Sequence, residues 1–131
     1  MWLGKDIENR TWKPPKTILG ERIAIHAGKK VDPQAVHTLW NLGEEGLLPA
    51  GWQGRLARSI TARYRGVILG TVEVAGWVHE DGSSSSPGLA SGSRWMVGPY
   101  GWVLADPEPL AAPEPAVGSQ GIWFAPPSLF P

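Results

Sequence analysis

The chain has 131 residues with twelve basic and twelve acidic side chains, and this zero net charge excludes a protein that is covered in positive charge throughout. Its length predicts one domain with a modest core. The absence of cysteine excludes disulfides and thiolate metal sites, while 17 glycines, 13 prolines and eight tryptophans favour short strands joined by turns.

The charges are unevenly distributed. Residues 1–66 carry eleven basic and six acidic groups, a net charge of +5, and residues 67–131 carry one basic and six acidic groups, a net charge of −5. This asymmetry permits a positive face on a neutral molecule. The sequence shows no run of apolar residues long enough to span a bilayer and no signal-peptide pattern, so we expect a soluble, cytoplasmic protein that does not bind membranes.

Residues 5–12, KDIENRTW, combine charged groups with an aromatic ring. Charges of alternating sign are typical of an exposed helix start, so a solvated helical turn is one interpretation of this segment. The two prolines within residues 13–16 then end any helix.

Three regular elements follow in the first two thirds of the chain. Alternating apolar residues predict a strand over residues 22–28. Asp32 before Pro33 is a typical helix start, and apolar spacing predicts a helix over residues 33–42. Residues 67–78 are almost entirely apolar and predict a buried strand.

The remainder of the chain is rich in residues that favour turns. The serine, glycine and proline content of residues 79–94 predicts a flexible loop inside the single domain, residues 1–131. Two more strands are predicted at residues 102–105 and 122–124, separated by a proline-rich connection over residues 107–115.

Glu73 is the one charged residue of the strand predicted over residues 67–78. A buried carboxylate needs a partner, and Lys5 or Arg10 are candidates. Glu73 is therefore interpreted as a member of a buried ion pair, as a general base or ligand-binding carboxylate, or as a solvated strand residue.

Other catalytic patterns are weak. The three histidines lack metal-ligand spacing, and the chain has neither a nucleophile-elbow nor a phosphate-loop motif. We therefore expect no metal and no cofactor. His26, alone on its predicted strand, fits a hydrogen-bonded core residue.

A run of arginines indicates a contact with nucleic acid. Arginines supply phosphate donors, and interleaved or nearby aromatic rings can stack bases. An ordinary solvated loop or helix explains the same arginines equally well. The arginines are Arg55, Arg58, Arg63 and Arg65, and the rings are Trp12, Tyr64, Trp95, Tyr100 and Trp102.

Four segments in order along the chain, residues 4–12, 22–29, 70–74 and 98–104, resemble the ASCH domain family. The resemblance implies a mainly β (α+β) fold, a PUA-like small β-barrel with flanking helices. It also implies RNA binding in roles tied to translation or RNA processing. Some members act as ribonucleases or as an amidohydrolase on N4-acetylcytidine.

The family's G-x-K-x-x-[ET]-x-R signature falls on Lys5, Glu8 and Arg10, with Gly4 directly beside the lysine. In amidohydrolase-like members a threonine nucleophile stands at the position of Glu8, and a lysine and a strand glutamate assist it. Lys5 and Glu73 resemble those helpers, while Glu8 lacks the hydroxyl and could serve as a base on water. Members also usually have a strand and part of a helix before this motif, so either this sequence starts late relative to the family or the barrel lacks an edge. In both cases we expect marginal stability or a missing wall of the cleft.

Together these observations predict a cleft that binds RNA or a modified nucleoside. The alternatives are a hydrolase that uses Lys5 with Glu8 or Glu73, and a structural barrel whose charges form internal ion pairs. The residues expected to bind the ligand are Lys5, Glu8, Asn9, Arg10, Trp12, His26, Lys29, Arg55, Arg63, Arg65, Tyr100 and Trp102.

Overall fold

A computed structural model describes residues 6–61, 64–86, 89, 93 and 95–118 of the chain. It shows an α+β protein with a four-stranded, curled antiparallel sheet and two helices. The strands are β1 (Ile7–Arg10), β2 (Arg22–Ala27), β3 (Val67–His79) and β4 (Tyr100–Pro115), and the helices are α1 (Pro33–Glu44) and α2 (Trp52–Ser59). No helix within these described residues is long and apolar enough to cross a membrane.

The order of strands in the sheet is β1-β4-β3-β2. The first strand therefore pairs with the last described strand, with Ile7 opposite Val103 and Arg10 opposite Tyr100. Residues 5–12 thus contain a strand rather than the solvated helical turn. The alternation of residue types in β1 explains this, because Ile7 is buried on one face while Glu8 and Arg10 lie on the other.

The chain divides into two compact units, and β2, β3 and β4 each have residues in both. Of the described residues, those within 6–23 and 71–108 form the first unit, and those within 24–70 and 109–118 form the second.

The core of the first unit lies on one face of the sheet. Ile7, Val74 and Val78 are almost completely buried there. A β-carbon at Gly101 would lie 2.9 Å from Ile7 Cγ2 and 3.2 Å from Val78 Cγ2, so the glycine makes room for both side chains. Alternation along β3 sends its even-numbered residues to this buried face and leaves the odd-numbered residues on the opposite face.

In the second unit, α1 begins as predicted, with the Asp32 carboxylate accepting a hydrogen bond of 3.0 Å from the Gln34 backbone N–H. Gly43 packs directly against the Trp52 indole, which leaves no room for a β-carbon at that position. Trp40 meets Trp52 edge to face at 4.9 Å. The sequence offered α2 only as an alternative interpretation of the arginine run, although the buried Trp52 and Leu56 stand four positions apart, as on one face of a helix.

The prediction of a short strand followed by a proline-rich connection was wrong, because β4 continues through residues 107–115. In the second unit the Ala116 N–H donates to the Gly66 carbonyl. Alternate residues of a strand direct their N–H groups to the same edge. Even-numbered residues of this stretch therefore direct their N–H groups toward β3, as Ala116 does. The prolines all have odd numbers, so the hydrogen bonds between β4 and β3 lose no donor.

Within the predicted loop, residues 80–86 turn back onto the end of β3. Ser84 forms a bridge with Val78, and the Ser85 N–H donates to the Trp77 carbonyl. The other part of this loop falls largely outside the described residues, as does the strand predicted at residues 122–124.

Candidate functional site

The face of the sheet opposite the core of the first unit carries aromatic and charged side chains. Directly paired residues of neighbouring strands share a face, so Glu8 and Trp102 lie side by side, as do Arg10 and Tyr100. We call this surface the aromatic face. It comprises Glu8, Arg10, Trp77, His79, Tyr100 and Trp102, together with Trp12 and Lys13, which pack on it.

Trp102 forms the base of one half of the aromatic face. Its side chain is 3% exposed, and its indole N–H donates to the Trp12 carbonyl at 2.9 Å. The Trp12 ring meets it edge to face at 5.0 Å and is itself 39% exposed. Trp102 therefore supports the neighbouring ring, and Trp12 presents indole surface to solvent.

Two charged residues flank these rings. The Arg10 guanidinium carbon lies 5.7 Å from the Trp102 ring centroid, within the range of a cation–π contact. Arg10 Nε lies 3.5 Å from Glu8 Oε1, and the two side chains are 40% and 37% exposed. Such an exposed ion pair contributes little to the stability of the fold.

Tyr100 forms the centre of the other half. Its ring packs against Trp77 with centroids 5.7 Å apart and against His79 with centroids 4.5 Å apart. Lys13 Nζ lies 5.5 Å from the Trp77 ring centroid. A second cation thus lies over an aromatic ring on this face.

Asp81 holds the His79 imidazole at the end of β3. Nδ1 lies 3.1 Å from the Asp81 backbone nitrogen, whose N–H can donate to it, and 2.9 Å from Asp81 Oδ1, which accepts from a protonated ring. The same oxygen accepts from the Ser83 hydroxyl at 2.6 Å and the Ser83 N–H at 2.8 Å. These two bonds from Ser83, aided by His79, lower the pKa of Asp81 from 3.8 to about 2.

This shift predicts a dependence of stability on acid. The folded pKa of Asp81 lies below its ordinary value of 3.8. Its contribution to the stability of the fold is therefore complete above pH 3.8 and is lost as the pH falls toward about 2. Asp81→Asn should therefore show a smaller decrease in melting temperature than the parent chain over that interval. Thermal unfolding at stepped pH measures this.

Ser83→Ala provides the control for that prediction. It removes the hydroxyl that is the largest cause of the shift, so a carboxyl titration followed by NMR should give Asp81 a pKa closer to 3.8. An unchanged titration in Ser83→Ala would contradict the assignment to Ser83.

The side chain of Asn9 contacts backbone groups of the protein, whereas the sequence predicted that it binds the ligand. Its Nδ2 donates to the Trp95 carbonyl at 2.8 Å, and its Oδ1 accepts from the Val97 and Gly98 N–H groups at 2.9 and 3.2 Å. The amide side chain is therefore engaged by backbone. Asn9 fastens the segment before β4 to β1, and its contribution to the site is to hold that segment.

Glu73 lies on the less buried side of β3, where it is half-buried. Of its two expected partners, Arg10 pairs with Glu8, and Lys5 lies outside the described residues. The catalytic alternative depends on Lys5 and stays a prediction.

The remaining predicted site residues belong to the second unit and are described there separately. His26 Nε2 lies 2.8 Å from the Ala116 carbonyl oxygen, which fits the hydrogen-bonded role expected of a lone strand histidine. Arg55 lies half-buried on α2, whereas Lys29 and Arg65 are exposed. Arg63 lies outside the described residues.

Three residues of the aromatic face were not among those expected to bind a ligand: Lys13, Trp77 and His79. A signal for Trp77 and His79 was present, because both occupy odd positions of β3 and so share a side with Glu73. Lys13 follows the exposed Trp12, yet its contact with Trp77 bridges more than sixty positions and has no local signature.

Arg22, for which the sequence predicted no role, holds two parts of the first unit together. It donates to Thr71 Oγ1 at 2.9 Å, to the Asp106 carbonyl at 2.9 Å and to Asp106 Oδ2 at 2.5 Å. Glu108 Oε1 lies 3.4 Å away. This cluster holds Asp106 at a positive φ of 47°, an uncommon backbone conformation for any residue but glycine.

Groups of three or more histidine, aspartate and glutamate side chains able to hold a metal ion are absent from the part of the chain that the structure describes. A scan against protein-family models finds no match to this chain, and a search of curated proteins finds none.

Proposed function

We propose that this chain is an ASCH-type, PUA-like domain that binds single-stranded RNA or a modified nucleoside through the aromatic face, in RNA processing or translation-linked regulation. The observation that carries the proposal is the placement of two cations over tryptophan rings, Arg10 on Trp102 and Lys13 on Trp77, beside the exposed ring of Trp12. The Lys-x-x-Glu-x-Arg motif supports it, since Glu8 and Arg10 of that motif lie on this face.

The charge of the segment supports an anionic ligand. Residues 10–16 carry three basic side chains and no acid, and Arg10, Lys13 and Lys16 are all exposed. Exposed cations bind phosphates and release counterions, which gives most of the affinity for nucleic acid. Arg22 adds nothing here, because its guanidinium is engaged with Thr71 and Asp106.

The rings support stacking of bases. Trp12 presents an exposed indole, and Tyr100 and Trp77 are half-buried beside each other. A base that stacks on such a ring gains about 1–3 kcal/mol with little dependence on sequence. The aromatic face thus combines the two features on which single-strand binding depends.

The test is a titration of a fluorescent single-stranded RNA at two salt concentrations. We expect affinity to fall as salt rises, and Arg10→Ala with Lys13→Ala to weaken binding and flatten the salt dependence. Each phosphate contact contributes about 0.7 to the logarithmic slope on a single strand, so the loss of two should lower it by about 1.4.

A charge-matched control separates a specific surface from net charge. Lys30→Ala with Arg58→Ala removes the same charge from exposed positions of the second unit and should change the slope less. Absence of RNA binding at low salt, or equal losses in both double variants, would contradict the proposal.

A further inference from the structure

The half-buried His79 imidazole at the end of β3 presents one ring nitrogen to solvent. Both polar contacts of this ring with the described residues, one to the backbone nitrogen and one to the carboxylate of Asp81, are made by Nδ1. Among the residues that the structure describes, no buried side-chain nitrogen or oxygen lacks a hydrogen-bond partner. Nε2 has no such partner there and is therefore not buried.

Asp81 determines which nitrogen of the neutral ring carries the proton. In a neutral imidazole one nitrogen donates and the other accepts. The backbone nitrogen of Asp81 lies 3.1 Å from Nδ1, and a proton on Nδ1 would leave this N–H without its acceptor. The Asp81 carboxylate does not need that proton, because Oδ1 already accepts two hydrogen bonds from Ser83. The neutral ring therefore accepts at Nδ1 and carries its proton on Nε2.

Nε2 is a donor in the charged ring as well. Both nitrogens of an imidazolium carry protons. The Nδ1–H then has the Asp81 carboxylate oxygen 2.9 Å away as its acceptor. That carboxylate stays ionised near neutral pH, since the hydrogen bonds from Ser83 lower the pKa of Asp81 to about 2. Nε2 thus donates on both sides of the histidine titration and accepts on neither.

This donor lies in a row with an aromatic ring and an arginine. Tyr100 is directly opposite Arg10, and its ring meets the His79 ring with centroids 4.5 Å apart. Because β4 lies between β1 and β3, Arg10 and His79 belong to the strands on either side of Tyr100. Their backbones are two strand spacings apart, about 10 Å. A nucleotide that stacks at Tyr100 would have a donor for phosphate on each side.

The charged groups around His79 favour an anion at Nε2. Arg10 and Lys13 supply two cations on the aromatic face. Asp81 contacts the ring at Nδ1. The N–H of Glu80, the next residue after His79, still pairs with the Pro99 carbonyl, so strand alternation directs the Glu80 side chain to the opposite face. Neither carboxylate thus contacts Nε2, while the two cations attract a phosphate to this face.

From this geometry we propose that His79 binds a phosphate of single-stranded RNA through its Nε2–H, as a donor in both protonation states. The inference rests on the proposed RNA-binding function and adds a residue to it. A carboxylate of an acidic peptide would also accept from Nε2. The rings of Tyr100 and Trp77 beside it favour a nucleotide instead, because they offer a surface on which a base stacks.

The first experiment needs no ligand. Nitrogen NMR of the labelled imidazole at about pH 8, where histidine is neutral, reports which ring nitrogen is protonated. We expect the proton of His79 on Nε2. A proton on Nδ1 would make Nε2 an acceptor and would overturn the inference.

The second experiment titrates a fluorescent oligouridine over a range of salt at about pH 8 and at about pH 5, between which histidine gains its charge and uracil does not titrate. A charged His79 on a phosphate should steepen the logarithmic salt dependence by about 0.7 at the lower pH. His79→Gln should lack this increment and keep the affinity at the higher pH. Its amide nitrogen stands as many bonds from the backbone as Nε2 and donates without charge.

Two further variants complete the comparison. His79→Ala removes the donor and should weaken binding about tenfold at both pH values. His37→Gln is the matched control, since it replaces an exposed histidine on α1 and should keep the full increment in slope. A folding defect in His79→Ala would leave the comparison of His79→Gln with the parent chain decisive.

The outcomes separate this inference from the proposed function. If the chain binds no oligouridine at either pH, the proposed RNA-binding function fails and the inference with it. If His79→Gln shows the same increment as the parent, or loses as much affinity at about pH 8 as His79→Ala, phosphate binding by His79 is overturned while RNA binding stands. Displacement of the oligouridine by a short glutamate peptide whose affinity depends on His79 would likewise overturn it.

Discussion

Replacing Trp102 with alanine is expected to lower the free energy of unfolding by about 3–5 kcal/mol. Its side chain is 3% exposed, so the substitution leaves a large cavity between Trp12 and Arg10. It also removes the indole N–H that donates to the Trp12 carbonyl. Urea unfolding followed by circular dichroism measures the loss.

Two further variants show where that loss arises. Trp102→Phe keeps an aromatic ring and removes the hydrogen bond, so we expect an intermediate loss. Trp12→Ala removes a side chain that is 39% exposed and should cost about 1 kcal/mol, the value of one edge-to-face contact. Equal losses in Trp12→Ala and Trp102→Ala would contradict the arrangement in which Trp102 supports Trp12.

Asn9→Ala is expected to cost about 2–3 kcal/mol, because it leaves three backbone groups without their partner. These groups are the Trp95 carbonyl and the N–H groups of Val97 and Gly98. The loss should appear in the free energy of unfolding measured without any ligand, which a purely ligand-binding asparagine would leave unchanged.

Asn9→Asp refines this experiment. A carboxylate can still accept from Val97 and Gly98, whereas it cannot donate to the Trp95 carbonyl 2.8 Å away. Asn41→Ala is the control: its amide lies 3.3 Å from His37 Nε2 on the exposed surface of α1, and we expect a change within about 0.5 kcal/mol. If Asn9→Ala is as mild as Asn41→Ala, the fastening role of Asn9 is wrong.

The elements that the sequence predicted correctly are those indicated by residues within or next to the element itself. The start of helix α1 is indicated by the Asp32 cap and by Pro33 at its first position. The strand β3 is indicated by a run of almost entirely apolar residues. The strand β4 extends further than predicted. Proline content alone argues against a strand, and the sequence does not show which edge of the strand pairs with a neighbour. Its prolines become acceptable only once β3 lies on the opposite side.

Part of the aromatic face could be predicted, because charged and aromatic residue types indicate contacts with a ligand. Arg10, Trp12, Tyr100 and Trp102 were expected together and do lie on or against one face of the sheet. Asn9 could not be assigned in the same way, since its partners follow more than eighty positions later and are backbone groups without a residue signature. The burial of Trp102 likewise depends on the ring of Trp12, which only the folded chain brings to it.

The pairing of β1 with β4 has a consequence during synthesis. Residues 7–10 leave the ribosome long before residues 100–103, so the first strand has no partner through most of translation. Contacts between such distant segments form late and slowly. We therefore expect a nascent chain that ends before Tyr100 to expose Ile7 and to lack the aromatic face.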